Sequence, residues 1–276
     1  MFFHDIELDW ILKLQSSLRS SSLDQFFLGW NYVDTFPFVF LVVLTSWFYY
    51  RKQMGARLLY LFILSSLANI FLKALFHLPR PCQLDPTVGV LQFSSYGFPS
   101  GAAQSAAIIV GVVWQETVKR RYRLIALLFA LFLCFSRVYL GVHFISDILG
   151  GIFVGCVLLA IQYFIFPQVE KTGRSLYLFV PFLLVGYGKF HMHIGIALGV
   201  ALGLYLDGLL TKERDSLFVK TSEFFLAYVG VSLCLFCHSF WPKGTLLFGA
   251  AGGFWMSFLS VYLVQKWREL LRAKAA

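Results

Sequence analysis

Nine apolar stretches recur along the chain, at 33–50, 56–76, 101–118, 124–140, 144–166, 176–189, 193–210, 217–238 and 245–267. Each is close to the ~20 residues an α-helix needs to cross the hydrocarbon of a bilayer. They therefore predict an all-α, polytopic membrane helix bundle. The sixth and seventh are short and separated by only a few residues, which also fits a re-entrant pair. Ahead of the first, Ile6, Trp10, Ile11 and Leu14 recur at helical spacing with Asp9, Lys13 and Gln15 between them. That pattern reads as an amphipathic helix, either lying in the interface or capping the bundle.

The polar gaps carry a second signal. Basic residues follow every other run: Arg51, Lys52 and Arg57 after the first, and Lys119, Arg120, Arg121 and Arg123 after the third. Lys171 and Arg174 follow the fifth, Lys212, Arg214 and Lys220 the seventh, and Lys266, Arg268, Arg272 and Lys274 the ninth. The positive-inside rule puts these gaps and the C-terminus in the cytoplasm. The acidic N-terminal segment, with Asp5, Glu7, Asp9, Asp24 and Asp34, then lies outside. The opening residues MFFHDIELDW are acidic where a cleavable leader is basic, so the first span is expected to serve as its own insertion signal.

Composition agrees. Of 276 residues, 59 % are hydrophobic and 13 % charged, against about 25 % charged in a soluble domain. Disorder is excluded. The net charge of +9 belongs to topology rather than to a nucleic-acid footprint, because the basic residues sit in short gaps between apolar runs. Cys134, Cys156, Cys234 and Cys237 lie within apolar runs and Cys82 in a loop, so the five cysteines form no disulfide framework. The 31 phenylalanines read as lipid-facing filler.

Unusual polar residues concentrate in the long gap after the second run and at two neighbouring outer helix ends. Lys73 is in the last turn of the second run, and Arg80-Pro81 follows seven residues later. Ser100-Gly101 opens the third directly after Pro99, Arg137 ends the fourth, and His143 and Asp147 bracket the start of the fifth. An ionisable residue in a membrane segment costs about 2.5–3.5 kcal/mol on insertion scales, so such groups require partners or a task. Lys73, Arg80 and Arg137 against one carboxylate leave a positive pocket suited to an oxyanion such as a phosphate monoester. The start of the third helix adds free backbone N–H groups and a favourable dipole, and Gly101 allows close approach. His143 and Asp147, four residues apart, share one helix face. The carboxylate can fix the imidazole tautomer and leave the other nitrogen as a nucleophile or base. Gly141 permits the reversal between Arg137 and His143.

Lys73-Ala-Leu-Phe-His-Leu-Pro-Arg80-Pro81, Phe98-Pro99-Ser100-Gly101 and Ser136-Arg137-Val-Tyr-Leu-Gly-Val-His143-Phe-Ile-Ser-Asp147 together resemble the signature of the type-2 phosphatidic acid phosphatase (lipid phosphate phosphatase) superfamily. The resemblance covers about residues 20–166. It implies a six-helix phosphatase-like core over 33–170; the N-terminal interfacial amphipathic segment over 1–32 is read from its own pattern, and about four additional spans over 171–276 lie outside the resemblance. It further implies a phosphatase working without metal or other cofactor. His143 would attack phosphorus to form a phosphohistidine, and Asp147 would orient it. Lys73, Arg80, Arg137, Ser100 and the Gly101 N–H would hold the phosphoryl oxygens. The implied substrate is a phospholipid, sphingoid or polyprenyl phosphate, reached from the bilayer at the non-cytoplasmic face.

One position departs from that signature. Ala102 stands where the family's third block has a histidine, implied to be the acid that protonates the leaving alkoxide, a contribution of ~10²–10⁴-fold. Three explanations fit a methyl group there: a substitution that silences the enzyme, a lipid diphosphate substrate whose leaving phosphate needs little protonation, or binding without turnover. His77, in the same outer gap, is a substitute acid or a residue facing headgroups. A rival reading is a lipid transporter or scramblase built on the last four spans, where Lys189, Glu223 and Asp207 are the polar candidates.

Three further patterns have plainer readings. Cys234-Leu-Phe-Cys237-His238 matches the c-type haem pattern, but it lies in an apolar span without a second ligand and reads as buried cysteines. His191-Met-His193 has no nearby Cys, Asp or Glu and reads as a loop rather than a metal site. Gly195, Gly199 and Gly203 form a small-residue stripe expected to pack within the bundle, with Gly249, Gly252 and Gly253 as the partner face. Glu116 is expected to reach toward Lys119 or Arg120.

Overall fold

The computed structural model describes residues 2–172, 191–207 and 216–275. Every regular element among them is helical: α1 (Phe2–Leu18), α2 (Ser21–Trp30), α3 (Phe36–Thr45), α4 (Lys52–Phe76), α5 (Pro81–Leu84), α6 (Gly101–Glu116), α7 (Arg120–Tyr139), α8 (Ile145–Thr172), α9 (His191–Asp207), α10 (Leu217–Phe240), α11 (Thr245–Phe254) and α12 (Ser260–Ala275). A 3₁₀ turn, Asn31–Asp34, links α2 to α3, and π turns extend α3 through Ser46–Tyr50 and join α11 to α12 through Trp255–Leu259.

Five helical stretches among the described residues are long and apolar enough to cross a membrane: Lys52–Leu84, Arg120–Tyr139, Ile145–Phe164, Leu217–Phe240 and Pro242–Lys274. A sixth arises if Ser21–Asp34 and Phe36–Tyr50, bent by 57°, count as one broken span. Counted so, the expected first span is longer than its apolar run and kinked. The expected third is only 16 residues, about 24 Å at 1.5 Å per residue. The expected sixth, 176–189, lies outside the described residues.

The chain forms two compact units. One comprises Met1–Leu41 and Arg57–Ile165, the other Val42–Ala56 and Phe166–Ala276. In the first, α1 packs as a cap. Ile11 is fully buried with Val88 and Phe144. Gln15 donates to the carbonyls of Val88 and Tyr139, both at 2.8 Å. Glu7 accepts from the backbone N–H and hydroxyl of Ser146 at 2.7 Å each, so a carboxylate from α1 caps the positive end of α8. Helix α2 lies on α7 through aromatic contacts, Phe27 on Tyr139 at 4.5 Å and Trp30 edge-on to Phe132 at 4.8 Å. Phe27, Phe40, Phe62 and Phe144 are buried here, so the reading of phenylalanine as lipid-facing fails at these positions, whereas Phe71, Phe153 and Phe164 are exposed. Helix α6 approaches α8 closely: a Cβ at Gly151 would meet the Ser100 carbonyl, and one at Gly155 the Gln104 carbonyl at 2.9 Å. Glu116 pairs with Arg57 at 2.7 Å, because α4 brings a cation to its side.

In the second unit, α9 and α11 run face to face on the glycine stripe. A Cβ at Gly199 would strike the Ala250 carbonyl, and one at Gly253 the Ile196 carbonyl. Gly252 instead faces Val231 and Cys234 of α10. His238, in the haem-like pattern, lies 3.0 Å from the Thr245 hydroxyl.

Candidate active site

The first unit's polar interior is built by helix ends. Helix α4 stops at Phe76, and His77 takes φ +52°, so the chain leaves Lys73 in the last turn and folds back through 77–100. Arg80 enters α5 with Pro81 as the first helical residue, where its missing N–H costs nothing. Cys82 therefore lies in a short helix, buried, and its N–H donates to the Gly141 carbonyl at 3.0 Å. Gly141 has φ +67°, and any Cβ there would strike the Val88 carbonyl. Only glycine makes this turn, and the turn is what swings His143 back beside the end of α7.

The centre is a chain of three side chains. Arg80 Nη1 is 3.1 Å from His143 Nε2, and His143 Nδ1 is 3.2 Å from Asp147 Oδ2. A guanidinium only donates, so Nε2 is the acceptor and the proton is on Nδ1, donated to the carboxylate. The same Asp147 oxygen accepts the Phe144 N–H at 3.0 Å, which fixes the carboxylate before it fixes the imidazole. His143 is buried. Desolvation, with the charges of Arg80, Lys73 and Arg137 behind it, holds its pKa well below the ordinary imidazole value. The ring is therefore neutral at pH 7, with a lone pair on Nε2.

Arg80 is held from all sides. It donates to the Ser95 carbonyl at 2.7 Å, the Ser95 hydroxyl at 3.0 Å and the Val142 carbonyl at 2.8 Å, and its guanidinium lies 4.7 Å from the Phe93 ring centroid. Lys73 reaches the Tyr96 carbonyl at 2.6 Å. Ser100 is the N-cap of α6, its hydroxyl accepting from Ala103 N–H at 3.4 Å. Its own N–H donates to the Asp147 carbonyl at 3.0 Å, which pins the start of α6 to the first turn of α8. Gly101 faces Asn69, whose amide donates to the Pro99 carbonyl at 2.9 Å.

Arg137 is sealed in. Its Nη1 donates to Asn31 at 2.7 Å and pairs with Asp34 at 3.3 Å. Nε donates to the Ser136 hydroxyl at 3.2 Å, and Nη2 has no protein partner among the described residues. Ala102 is buried in an apolar cluster with Ala106, Ala130 and Leu133, against which Trp30 and Val33 pack. The exposed His77 lies edge-on to Tyr96.

The structure thus brings Arg80, His143 and Asp147 into direct contact and sets Lys73, Arg137 and the Ser100–Gly101 turn around them. Asn31, Asp34, Phe93 and Ser95 are additions that the sequence reading did not single out. Asp34 was visible there only as an orientation charge, and nothing in the local pattern tied it to Arg137, 103 residues away.

Comparison with known proteins places the chain in a family. The profile described as PAP2 superfamily matches residues 54–171. The phosphatidylglycerophosphatase B of Bacillus subtilis (strain 168) is 31 % identical over 54 % of this chain and 77 % of its own length. The sphingosine-1-phosphate phosphatase 2 of Mus musculus is 30 % identical over 48 % of this chain, which spans 41 % of that protein. A crystal structure described as the first transmembrane PAP2 type phosphatidylglycerolphosphate phosphatase, from Bacillus subtilis, matches with a TM-score of 0.52 and 26 % identity, covering 60 % of this chain and 87 % of the other.

Proposed function

The chain belongs to the PAP2 superfamily, and we propose that it hydrolyses the phosphate ester of a membrane lipid through a phosphohistidine at His143. It is an integral membrane phosphatase acting on lipid phosphates. The observation that carries the finer reading is the Arg80–His143–Asp147 chain at 3.1 and 3.2 Å.

In the resting site the Arg80 guanidinium rests against the nucleophilic lone pair. An incoming phosphate is the stronger acceptor for a charged fork donor, so Arg80 turns from Nε2 to a phosphoryl oxygen and frees the nitrogen to attack. Lys73, Arg137 through Nη2, and the free N–H groups at the start of α6 take the remaining oxygens as charge builds on them. Asp147 holds the Nδ1 proton and stabilises the imidazole as it becomes cationic. Water then attacks the phosphohistidine and releases phosphate.

The substrate headgroup reaches this pocket with its tail still in the bilayer. The alternation of basic gaps puts the pocket on the non-cytoplasmic face and the C-terminus inside. Phosphatidylglycerol phosphate and sphingoid phosphates are the first candidates, from the named activities of the relatives.

The test is phosphate release from a panel of lipid monophosphates and diphosphates. The unmutated chain is expected to turn over at least one, and His143→Ala none. An unimpaired His143→Ala protein would remove the nucleophile from this account.

A further inference from the structure

Expelling a lipid alkoxide requires a proton, and the described site holds few groups able to give one. Asp147 is committed to His143 and the Phe144 N–H. Lys73 and the two arginines are needed as charges on the phosphate. Residue 102 is a methyl group, and Trp30 and Val33 pack against it, so no larger donor has room there. His77 is exposed and turned onto Tyr96.

Asp34 is different. It belongs to the 3₁₀ turn directly after Trp30, so the segment that fills the space beside Ala102 also delivers a carboxyl to the site. Its Oδ2 pairs with Arg137 at 3.3 Å, and it lies within electrostatic reach of Arg80 and Lys73. The pair is asymmetric: the Arg137 side chain is 1 % exposed and that of Asp34 29 %. The guanidinium is buried, whereas the carboxyl beside it keeps partial exposure. Charge agrees. Three cations against two carboxylates leave the pocket one charge short of a phosphate dianion, and a proton on Asp34 makes up the difference.

We propose that Asp34 is the general acid and base of this phosphatase, and this rests on the reading of His143 as nucleophile. In the first step the Nε2 lone pair forms the N–P bond and the ester P–O bond breaks. The departing alkoxide takes the proton from Asp34 and leaves as the lipid alcohol. In the second step water donates its oxygen to phosphorus and its proton to the Asp34 carboxylate. The N–P bond breaks, the electron pair returns to Nε2, and inorganic phosphate is released.

The experiment compares one protein sample on two monoesters, a long-chain alkyl phosphate and p-nitrophenyl phosphate, so that the folded fraction cancels. Asp34→Asn keeps an amide oxygen for Arg137 but carries no transferable proton. Read as release of alcohol or phenolate in the first turnover, before the water step that both esters share, it is expected to slow the alkyl ester by ~10²–10⁴-fold and the aryl ester, whose phenolate leaves unaided, less than about tenfold, and Asp34→Glu is expected to recover part of the alkyl activity. Equal loss on both esters, or no loss on either, overturns the assignment while leaving the phosphatase intact. An unmutated chain that cleaves lipid diphosphates but no alkyl monoester also overturns it. A chain that releases phosphate from nothing overturns the phosphatase reading and the assignment together.

Discussion

Both units are made of apolar helices but bury different groups. The first encloses Glu7, Gln15, Arg80, Gln104, Arg137, His143 and Asp147; the buried polar residues described in the second are Ser46, Glu223, Ser257 and Ser260. Its helices α9 and α11 instead meet on glycines so closely that a Cβ would enter the facing backbone. One unit is held by charges and hydrogen bonds that are costly to leave unmatched, the other by van der Waals packing of small residues. In the first unit Arg80, His143 and Asp147 meet one another and Arg137 meets Asp34, and that is where chemistry is to be sought.

The contrast can be broken at several points. The largest effect is expected from Asp147→Asn, which keeps the shape of the side chain but removes the charge that holds the Nδ1 proton. By analogy with other carboxylate–histidine pairs, kcat is expected to fall by about 10³–10⁴-fold, read as phosphate release. Retained activity would mean that the Phe144 N–H and the fold suffice to orient the ring. Arg80→Ala removes the donor closest to the nucleophile and is expected to cost about 10²–10³-fold in kcat/KM. The loss should appear for every phosphate substrate, because the guanidinium reads the phosphate and not the lipid.

The pH profile gives a smaller effect with a definite sign. An imidazole of ordinary pKa near 6.5 would be about nine-tenths protonated at pH 5.5. His143, held well below that value by burial and three nearby cations, keeps a larger neutral fraction there. The acid limb of kcat/KM is therefore expected below pH 6.5, with less than the roughly tenfold loss at pH 5.5 that an unshifted histidine would show. A limb at or above 6.5 would contradict the sealed, cation-flanked ring. The smallest effect on activity is expected from Gly199→Leu in the second unit. It forces α9 off α11 and destabilises by about 1–3 kcal/mol or more, seen as a lower melting temperature, with kcat of the folded fraction unchanged. A large fall in kcat would show that the glycine seam contributes to the chemistry.

Much of this was legible from spacing alone. Lys73, Arg80, Arg137, His143 and Asp147 stood out because each is a charged or titratable side chain within or beside an apolar run, and the i, i+4 spacing placed His143 and Asp147 together. The glycine stripe of α9 was legible for the same kind of reason, since a four-residue repeat is a helix face. The Asn31–Asp34 clamp on Arg137 was not. It depends on α2 lying on α7 through Phe27, Trp30, Phe132 and Tyr139, and aromatic residues in a membrane protein look alike whether they face lipid or one another. Gly151 and Gly155, which let α6 sit against α8 and so fix Ser100 beside Asp147, carry no charge and no motif. Arg57 and Glu116, far apart in the chain, met because two helices end at the same level, which local pattern does not encode.

The central claim is that a phosphoryl group passes through the nitrogen of one imidazole. Rapid quenching of the enzyme during turnover of a radiolabelled lipid phosphate, followed by alkaline work-up and peptide mapping, tests it directly. The account predicts an acid-labile, alkali-stable phosphate on the peptide containing His143, absent in His143→Ala and accumulating when water attack is slowed. Turnover at full rate with no label on that peptide, or with label on another residue, would contradict it.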